Sequence, residues 1–314
     1  MRTFANWRLR TRTLELGRRT LVMGVVNITP DSFSDGGSFL DTEAAVVRCM
    51  QCLDEGADIL DLGAESTRPG SRAGGQSGGQ LGGIDALVSA SEEQARLLPV
   101  LEGVLKALPH AVLSVDTYKA ATARAALLAG AETVNDVSGF TWDPGMAQVC
   151  AEFAAGLVLS HTRGRPEDWR AQPQLAPDAL LAEVRDGLAA SLTAAQAAGI
   201  AQEQIVLDPG YGFGKRLSEN YVLLNRQAEL LSLGRPLLAG LSRKSFLGHT
   251  LAPLFDGQDA PLGERENASL AAMTAAILYG ASIVRVHQVR PAVEAARIAD
   301  AILAASSPTA SGDR

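Results

Sequence analysis

The chain has 314 residues, of which 46% are hydrophobic and 20% are charged. This length fits one large α/β barrel or two modest domains, and the composition excludes a disordered or fibrous chain. The 28 basic and 35 acidic residues give a formal net charge of −7. That balance argues against non-specific binding to nucleic acid, which needs a basic surface.

The sequence predicts a cytoplasmic protein with no membrane segment. No hydrophobic run approaches the roughly 18 residues that a membrane helix needs, and the first residues lack the apolar stretch of a signal peptide. The three cysteines are too few for a disulfide framework. Cys49 and Cys52 form a CxxC pair on an apolar helical face, so we interpret them as core thiols and not as metal ligands.

Short hydrophobic runs alternate with longer segments of helical period along the chain. The eight predicted strands are residues 20–27, 58–63, 111–116, 132–137, 156–161, 204–210, 236–242 and 282–287. The predicted helices are residues 42–55, 91–107, 119–129, 144–155, 178–198, 217–232, 266–280 and 291–305. Eight such units favour a closed parallel (β/α)₈ TIM barrel over an open doubly wound sheet.

The barrel is predicted to form a single domain over residues 20–305. Residues 1–19 are expected to form a hairpin or strand that caps the barrel bottom, and the polar residues 306–314 to form a disordered tail. A glycine-rich stretch at residues 70–83 follows the second strand. It is therefore predicted to be a mobile loop on the face where a barrel carries its chemistry.

Polar side chains follow the predicted strands at their C-terminal ends, where TIM barrels keep their functional groups. They are Asn27, Glu65, Thr67, Arg68, Asp116, Asn135, His161, Asp208, Ser242, Arg243, Lys244, Arg285 and His287. Asp and Asn also close strands simply because they suit turns, so none of these residues identifies a site alone. The prediction rests on their convergence at one mouth.

Four of these residues suit a flat heterocycle. Asp116, Asn135, Asp208 and Lys244 offer carboxylate acceptors, an amide and an ammonium donor. Such a set matches a ring edge that presents adjacent N–H donors and a carbonyl. A buried carboxylate is costly unless it is paired, so a ligand with two N–H groups is a natural partner for Asp208.

A second group suits an anion. Arg68, Arg285 and His287 carry the donors that phosphate oxygens need. For Arg68 a solvated loop charge is an equally good interpretation, whereas Arg285 lies in the apolar strand IVRVH and needs a partner. Asn27 alone is only weak evidence for a metal site, but Mg²⁺ takes many of its ligands from substrate phosphates and water and needs few from the protein.

Seven motifs stand out in chain order. They are VVNITPDSFSDGG (25–37), GAESTRPGS (63–71), SVDTYKA (114–120), NDVSG (135–139), LDPGYGFGK (207–215), GLSRKSFLG (240–248) and IVRVH (283–287). Together they closely resemble the dihydropteroate synthase family. That resemblance implies a (β/α)₈ barrel, a homodimer and a Mg²⁺-dependent reaction of folate biosynthesis. In it, 6-hydroxymethyl-7,8-dihydropterin diphosphate and p-aminobenzoate give dihydropteroate and pyrophosphate; sulfonamides target the family.

The resemblance also implies roles for individual residues. The pterin ring would be bound by Asp116, Asn135, Asp208 and Lys244. The diphosphate would be bound by Asn27, Thr67, Arg68, Arg285 and His287, with Asn27 as the Mg²⁺ ligand. The p-aminobenzoate would be bound by Phe33, Thr67, Pro69, Phe213 and Ser245. The residues expected to act in catalysis are Asp116, Asp208, Lys244 and Arg68.

The chain departs from the family pattern in four places. It has SHTRG (160–164) where MHM(Q/R)G is common, Gln288 where Asp is usual, Ala64 where a second glycine is frequent, and a glycine-rich insertion at 72–83. Two alternatives stay open. One is a catalytically diverged pterin-binding paralogue, and the other is a methyltetrahydrofolate-dependent corrinoid methyltransferase, which has no use for a diphosphate-binding Arg68.

Overall fold

The computed structural model describes residues 4–28, 38–65 and 88–305. The strands are β1 (Ala5–Arg8), β2 (Thr13–Leu16), β3 (Leu21–Asn27), β4 (Ile59–Gly63), β5 (Leu113–Asp116), β6 (Thr133–Asp136), β7 (Gly156–Ser160), β8 (Ile205–Asp208), β9 (Leu237–Ala239) and β10 (Ala281–Val286). The α-helices in these ranges are α1 (Ser38–Asp54), α2 (Ala90–Ala107), α3 (Ala120–Ala129), α4 (Met146–Glu152), α5 (Pro177–Ala197), α6 (Leu217–Arg226), α7 (Ser245–Thr250), α8 (Glu266–Leu278) and α9 (Val289–Ala305).

Strands β3 to β10 form a closed parallel barrel in chain order, with β10 pairing back onto β3. The predicted (β/α)₈ TIM barrel and its eight strands are confirmed. Two helical predictions differ in detail: α7 was not predicted, and residues 217–232 divide into α6 and a 3₁₀ helix, Gln227–Leu233. The division falls at Gln227, whose buried amide accepts from the Tyr211 hydroxyl at 2.7 Å and donates to the Ala276 carbonyl at 2.8 Å.

The antiparallel hairpin β1–β2 closes the N-terminal end of the barrel, as predicted. Trp7, Leu9 and Leu16 are buried against the apolar side chains that fill the lower barrel interior. The Trp7 indole donates to the carbonyl of Gln204 at 2.9 Å. Gly156 leaves room for the side chain of Leu9, because a Cβ at this position would lie 2.5 Å from Cδ2 of Leu9. The domain bounds at residues 20 and 305 stay predictions, and residues 306–314 lie outside the described residues.

The three cysteines lie in the hydrophobic layer beneath the helices. Cys49, Cys52 and Cys150 are buried free thiols, and burial raises the pKa of Cys49 to about 12. The described ranges contain no cluster of three or more His, Cys, Asp or Glu side chains suited to a metal ion. The interpretation of the CxxC pair as core thiols agrees with this environment.

None of the described helices combines the length and apolar character that crossing a bilayer requires.

Candidate active site at the barrel mouth

The C-terminal ends of the barrel strands bring distant polar residues together. Asn27 ends β3, Asp116 ends β5 and Asp208 ends β8. Asp208 and Arg285, from β8 and β10, lie on two sides of Gly240. A Cβ at Gly240 would lie 3.8 Å from Oδ2 of Asp208 and 4.0 Å from Cβ of Arg285. Asp208 and Arg285 are therefore neighbours, as the predicted convergence of the strand ends at one mouth requires.

Arg285 is held between two carboxylates. Its Nε donates to Oδ2 of Asp61 and its Nη2 donates to Oδ2 of Asp116, both at 2.6 Å. Burial alone would lower the pKa of this guanidinium, but the carboxylates raise it above its usual range. The partner expected for an arginine in an apolar strand is thus a pair of aspartates on β4 and β5.

Asp116 is a buried carboxylate whose ionised form is destabilised. Burial raises its pKa to about 7; Arg285 and Lys244 oppose the rise, while Asp61 and Glu93 add to it. An ionised Asp116 is therefore less stable in the mouth than in water. A positive charge on a bound molecule would offset this destabilisation.

Asp208 and Lys244 form the opposite wall. Oδ1 of Asp208 accepts from the backbone N–H of Gly210 at 2.8 Å, and burial raises its pKa. Nζ of Lys244 lies 3.8 Å from the centre of the Phe213 ring, and burial lowers its pKa to about 8 although Asp208 opposes this. Gly212, at φ +79°, leaves space for the lysine stem, since a Cβ there would lie 3.3 Å from Cδ of Lys244.

The loop after β9 presents Lys244. Arg243 adopts a left-handed φ of 60°, and its backbone N–H donates to Oγ of Ser269 at 2.9 Å. Its Nε donates to Glu266 at 3.3 Å. A non-glycine residue in this region stores strain that its surroundings must hold, and such strain is common at functional sites. Ser245 begins α7 and is exposed.

A cavity of about 510 Å³ opens beside Asn27 and His287. The charged residues in its lining are Arg48, Glu55, Arg243 and Arg290. Ser242 orients His287, because its Oγ lies 3.0 Å from Nδ1 of the imidazole and accepts from the His287 backbone N–H at 3.3 Å. The excess of cations makes this cavity suited to an anion.

Asn27 fits Mg²⁺ only together with an anionic substrate. It supplies a neutral amide oxygen, and the charged side chains around the adjoining cavity are mostly cationic. Mg²⁺ prefers octahedral oxygen ligands and often takes several from phosphates and water. The residues present therefore suit a metal that arrives with a diphosphate, not one held by the chain alone.

The described residues include part of the predicted site. Nine predicted site residues lie at or beside the mouth: Asn27, Asp116, Asn135, Asp208, Phe213, Lys244, Ser245, Arg285 and His287. Phe33, Thr67, Arg68 and Pro69 lie outside the described residues. The His161 ring is buried against Gly187 of α5. Burial and then the Lys215 and Arg163 cations lower its pKa to about 2. This surrounding supports a structural role.

Sequence reasoning missed Asp61. Its Oδ2 accepts from Nε of Arg285 at 2.6 Å and from Nδ2 of Asn135 at 2.9 Å. A signal was present, because a carboxylate in the apolar strand DILDLG needs a partner for the same reason as an arginine in IVRVH. The packing of Phe213 with Tyr118, Val137 and Trp142 in a small hydrophobic cluster was also missed.

The electrostatics of the mouth predict how stability depends on pH. The folded chain holds a proton on Asp116 more tightly than the unfolded chain does. The contribution of this group to stability is therefore fully present below about pH 4 and is lost as the pH rises through about 7. Urea unfolding between pH 5 and 8 should show a less negative slope of free energy against pH in Asp116→Asn than in the wild type. Parallel curves would contradict this assignment.

The chain is similar to pterin-binding enzymes over most of its length. A family described as "Pterin binding enzyme" matches residues 23–287. The dihydropteroate synthase of Synechocystis is 40% identical over 286 residues, covering 91% of each chain. That of Mycobacterium leprae is 41% identical over 284 residues, covering 90% of this chain and 93% of its own.

Solved structures give the same likeness. The Xanthomonas albilineans dihydropteroate synthase with 4-aminobenzoic acid superposes with a TM-score of 0.81 at 37% identity, covering 98% of this chain and 100% of its own. The same enzyme in complex with 7,8-dihydropteroate has a TM-score of 0.78 at 35% identity, covering 96% and 100%. The Yersinia pestis enzyme in a sulfonamide complex has a TM-score of 0.81 at 36% identity, covering 95% and 99%.

Proposed function

The chain belongs to the dihydropteroate synthase family of pterin-binding enzymes, and from this premise we propose how its residues share the family's reaction. The enzyme is a transferase of folate synthesis. It moves the pterin methylene group of 6-hydroxymethyl-7,8-dihydropterin diphosphate to the amine of p-aminobenzoate and releases pyrophosphate. One observation supports the roles given to the residues below. Arg285 is hydrogen-bonded to both Asp61 and Asp116, and this group faces Asp208 and Lys244 across the mouth.

The ring half of the mouth binds the pterin. Asp208 accepts from the ring N–H groups, Asn135 supplies an amide, and Lys244 donates to a ring acceptor while its ammonium rests over Phe213. The three carboxylates of this half, Asp61, Asp116 and Asp208, outnumber its own cation, Lys244, even when Arg285 of the neighbouring diphosphate half is counted with it. This half therefore carries an excess of negative charge before the substrate reacts.

That excess lowers the barrier to the transfer. Departure of the diphosphate leaves positive charge on the methylene carbon, conjugated to the ring. Asp116 and Asp208 are already oriented toward the mouth, so they stabilise this charge without reorganisation. Because burial and Asp61 destabilise the ionised form of Asp116, the interaction is stronger with the developing cation than with the neutral ground state.

The other half binds the leaving diphosphate. Arg285 and His287 donate to its oxygens, and Thr67 and Arg68, which follow β4 in the sequence, complete this set. Asn27 would hold Mg²⁺ together with the diphosphate. When bound, the metal would supply charge neutralisation at the leaving group.

The aryl amine is positioned at the rim. Phe213 and Ser245 would contact p-aminobenzoate together with Phe33, Thr67 and Pro69, which follow β3 and β4 in the sequence. Phe213 packs 5.1 Å from Trp169, which supports it as a fixed wall. Bringing the amine against the methylene carbon and excluding water favours transfer over hydrolysis.

The test of this function is a pyrophosphate-release assay on the purified chain. With the pterin diphosphate, p-aminobenzoate and Mg²⁺ together, we expect pyrophosphate and dihydropteroate in equal amounts. A sulfonamide should compete with p-aminobenzoate. Binding of the pterin diphosphate without release would favour a diverged paralogue, and methyl transfer from methyltetrahydrofolate would favour the corrinoid methyltransferase.

We propose that the enzyme acts as a cytoplasmic homodimer. The last two helices support this: Ile298 of α9 is 65% exposed, and Leu278 and Tyr279 at the end of α8 are 37% and 40% exposed. The cytoplasmic location is supported by three cysteines that are free thiols.

A charged residue on the proposed dimer surface should separate the subunits. Ile298→Glu is expected to shift the mass measured by light scattering from dimer to monomer, since it puts a charge into an apolar interface. Leu128→Glu is the matched control, because Leu128 of α3 is also largely exposed, at 70%. A dimer that survives Ile298→Glu unchanged, or that dissociates equally with Leu128→Glu, would contradict this interface.

A further inference from the structure

Asp61 is a buried carboxylate in the middle of a barrel strand. It is 0% exposed and pairs in register with Val25 of β3 and Ser114 of β5. Its side chain reaches inward, where TIM barrels usually place branched aliphatic residues. A carboxylate in that position is costly unless it is paired, so the bonds that it accepts are the reason to look for a role.

One oxygen of Asp61 joins the two halves of the mouth. Its Oδ2 accepts from Nε of Arg285 on β10 at 2.6 Å and from Nδ2 of Asn135 on β6 at 2.9 Å. Arg285 belongs to the proposed diphosphate half and Asn135 to the proposed ring half. A single atom therefore holds one residue of each half.

The contact decides which face Asn135 shows to a ligand. An amide can present either its oxygen or its nitrogen, and two acceptors placed together repel each other. The Asp61 carboxylate thus keeps Nδ2 turned inward. Among the described residues, the side-chain hydrogen bond of Asn135 is the one from Nδ2 to Asp61, and no described donor reaches Oδ1. It is left as an acceptor for an N–H group.

The contact also assigns the donors of Arg285. Nε is used by Asp61 and Nη2 by Asp116. Within the described ranges no side chain or carbonyl accepts from Nη1, since the bonds of this guanidinium are those of Nε and Nη2. Nη1 is therefore the donor that remains for an anion.

We infer that Asp61 is a positioning residue for both substrate halves: it presents the amide oxygen of Asn135 to the pterin ring and leaves Nη1 of Arg285 for the diphosphate. The inference rests on the proposed function in one respect, the division of the mouth into ring and diphosphate halves. Asp61 touches neither half of the substrate. It acts through the two residues that it holds.

Asp61→Asn tests the inference with two separate probes. The variant keeps the size of the side chain but removes the charge that strengthens both bonds. By calorimetry, its affinity for inorganic pyrophosphate and its affinity for 6-hydroxymethyl-7,8-dihydropterin should each fall by roughly tenfold. Asp58→Asn is the matched control, because Asp58 pairs with Arg19 at the opposite end of the same strand. It should change neither affinity.

Double variants separate positioning from general damage. In the Arg285→Gln background, Asp61→Asn should no longer weaken pyrophosphate binding. In the Asn135→Ala background, it should no longer weaken binding of the dihydropterin. A merely structural defect would lower affinity by the same factor in every background, because effects without a shared partner add.

Two outcomes would overturn the inference: affinities for both probes within about twofold of wild type in folded Asp61→Asn, or additive losses in both double variants. If Asp61→Asn does not fold, NMR of wild-type protein labelled with ¹⁵N in asparagine tests the inference instead. The side-chain amide signal of Asn135 is identified as the one that is missing from the spectrum of Asn135→Ala. Its hydrogens should exchange slowly with solvent, and fast exchange would overturn the inference. Failure of the proposed function has a different signature: both probes bind, but p-aminobenzoate releases no pyrophosphate.

Discussion

Replacing Arg285 with glutamine is expected to lower kcat/KM by roughly a thousandfold and to destabilise the fold by about 3 kcal/mol. The substitution removes the cation from between Asp61 and Asp116, whose Oδ2 atoms both accept from it at 2.6 Å. Two buried carboxylates then repel each other without compensation. The proposed diphosphate half also loses a donor, so binding and chemistry suffer together.

Arg19→Gln is the matched control for this variant. Arg19 pairs with Asp58 at the N-terminal end of the barrel, and its side chain is 59% exposed. An exposed pair of this kind contributes at most about 1 kcal/mol, and it lies far from the mouth, so activity should stay at the wild-type level. Steady-state kinetics and urea unfolding measure both variants. Activity of Arg285→Gln within tenfold of wild type would refute the central role given to this arginine.

The fold was predictable because its signals are local and repeat along the chain. Each predicted strand is a short apolar run, and each connection has helical period, so the (β/α)₈ order follows without knowledge of any long-range contact. Closure of the barrel then carries the strand ends to one mouth. For this reason Asp208 and Arg285 could be expected as neighbours although they lie far apart in the chain.

The ion pairs inside the mouth were harder to predict from the sequence. Which carboxylate meets Arg285 depends on the register of β10, β3 and β4 around the closed barrel, and register is a tertiary property. Alternation along β4 turns Ile59 and Asp61 to the same face, so the sequence could have marked Asp61 as inward. It could not have shown that one oxygen of Asp61 serves two donors.

The SHTRG departure illustrates a second limit. From the motif alone, the loss of an apolar residue predicts a missing wall beside the pterin. Arg163 of this motif matches the Q/R position of the family pattern and donates to the Pro173 carbonyl at 3.0 Å and to the Gly214 carbonyl at 3.2 Å, so the departures are Ser160 and Thr162. Thr162 accepts from the Trp169 indole at 3.1 Å. The altered residue Thr162 therefore makes a contact within its own loop, which the motif comparison alone does not show.

Asp116→Asn is expected to lower kcat by roughly a hundredfold while it changes binding of the dihydropterin by less than about threefold. Asparagine keeps the size of the side chain and an oxygen that can accept from Nη2 of Arg285. It lacks the negative charge that stabilises a cationic methylene group. The loss should therefore appear in the transition state and not in the ground state.

The pH dependence of kcat/KM in the same variant tests the role of Asp116 independently. The ionised form of Asp116 is the active one, and its pKa is raised to about 7, so wild-type kcat/KM should fall as the pH drops below about 7. That limb should be absent from Asp116→Asn. Asp143→Asn is a suitable control, because Asp143 accepts from the backbone N–H groups of Ala120 and Gly145 outside the mouth. Equal losses in kcat and in ring affinity would assign Asp116 to substrate binding alone.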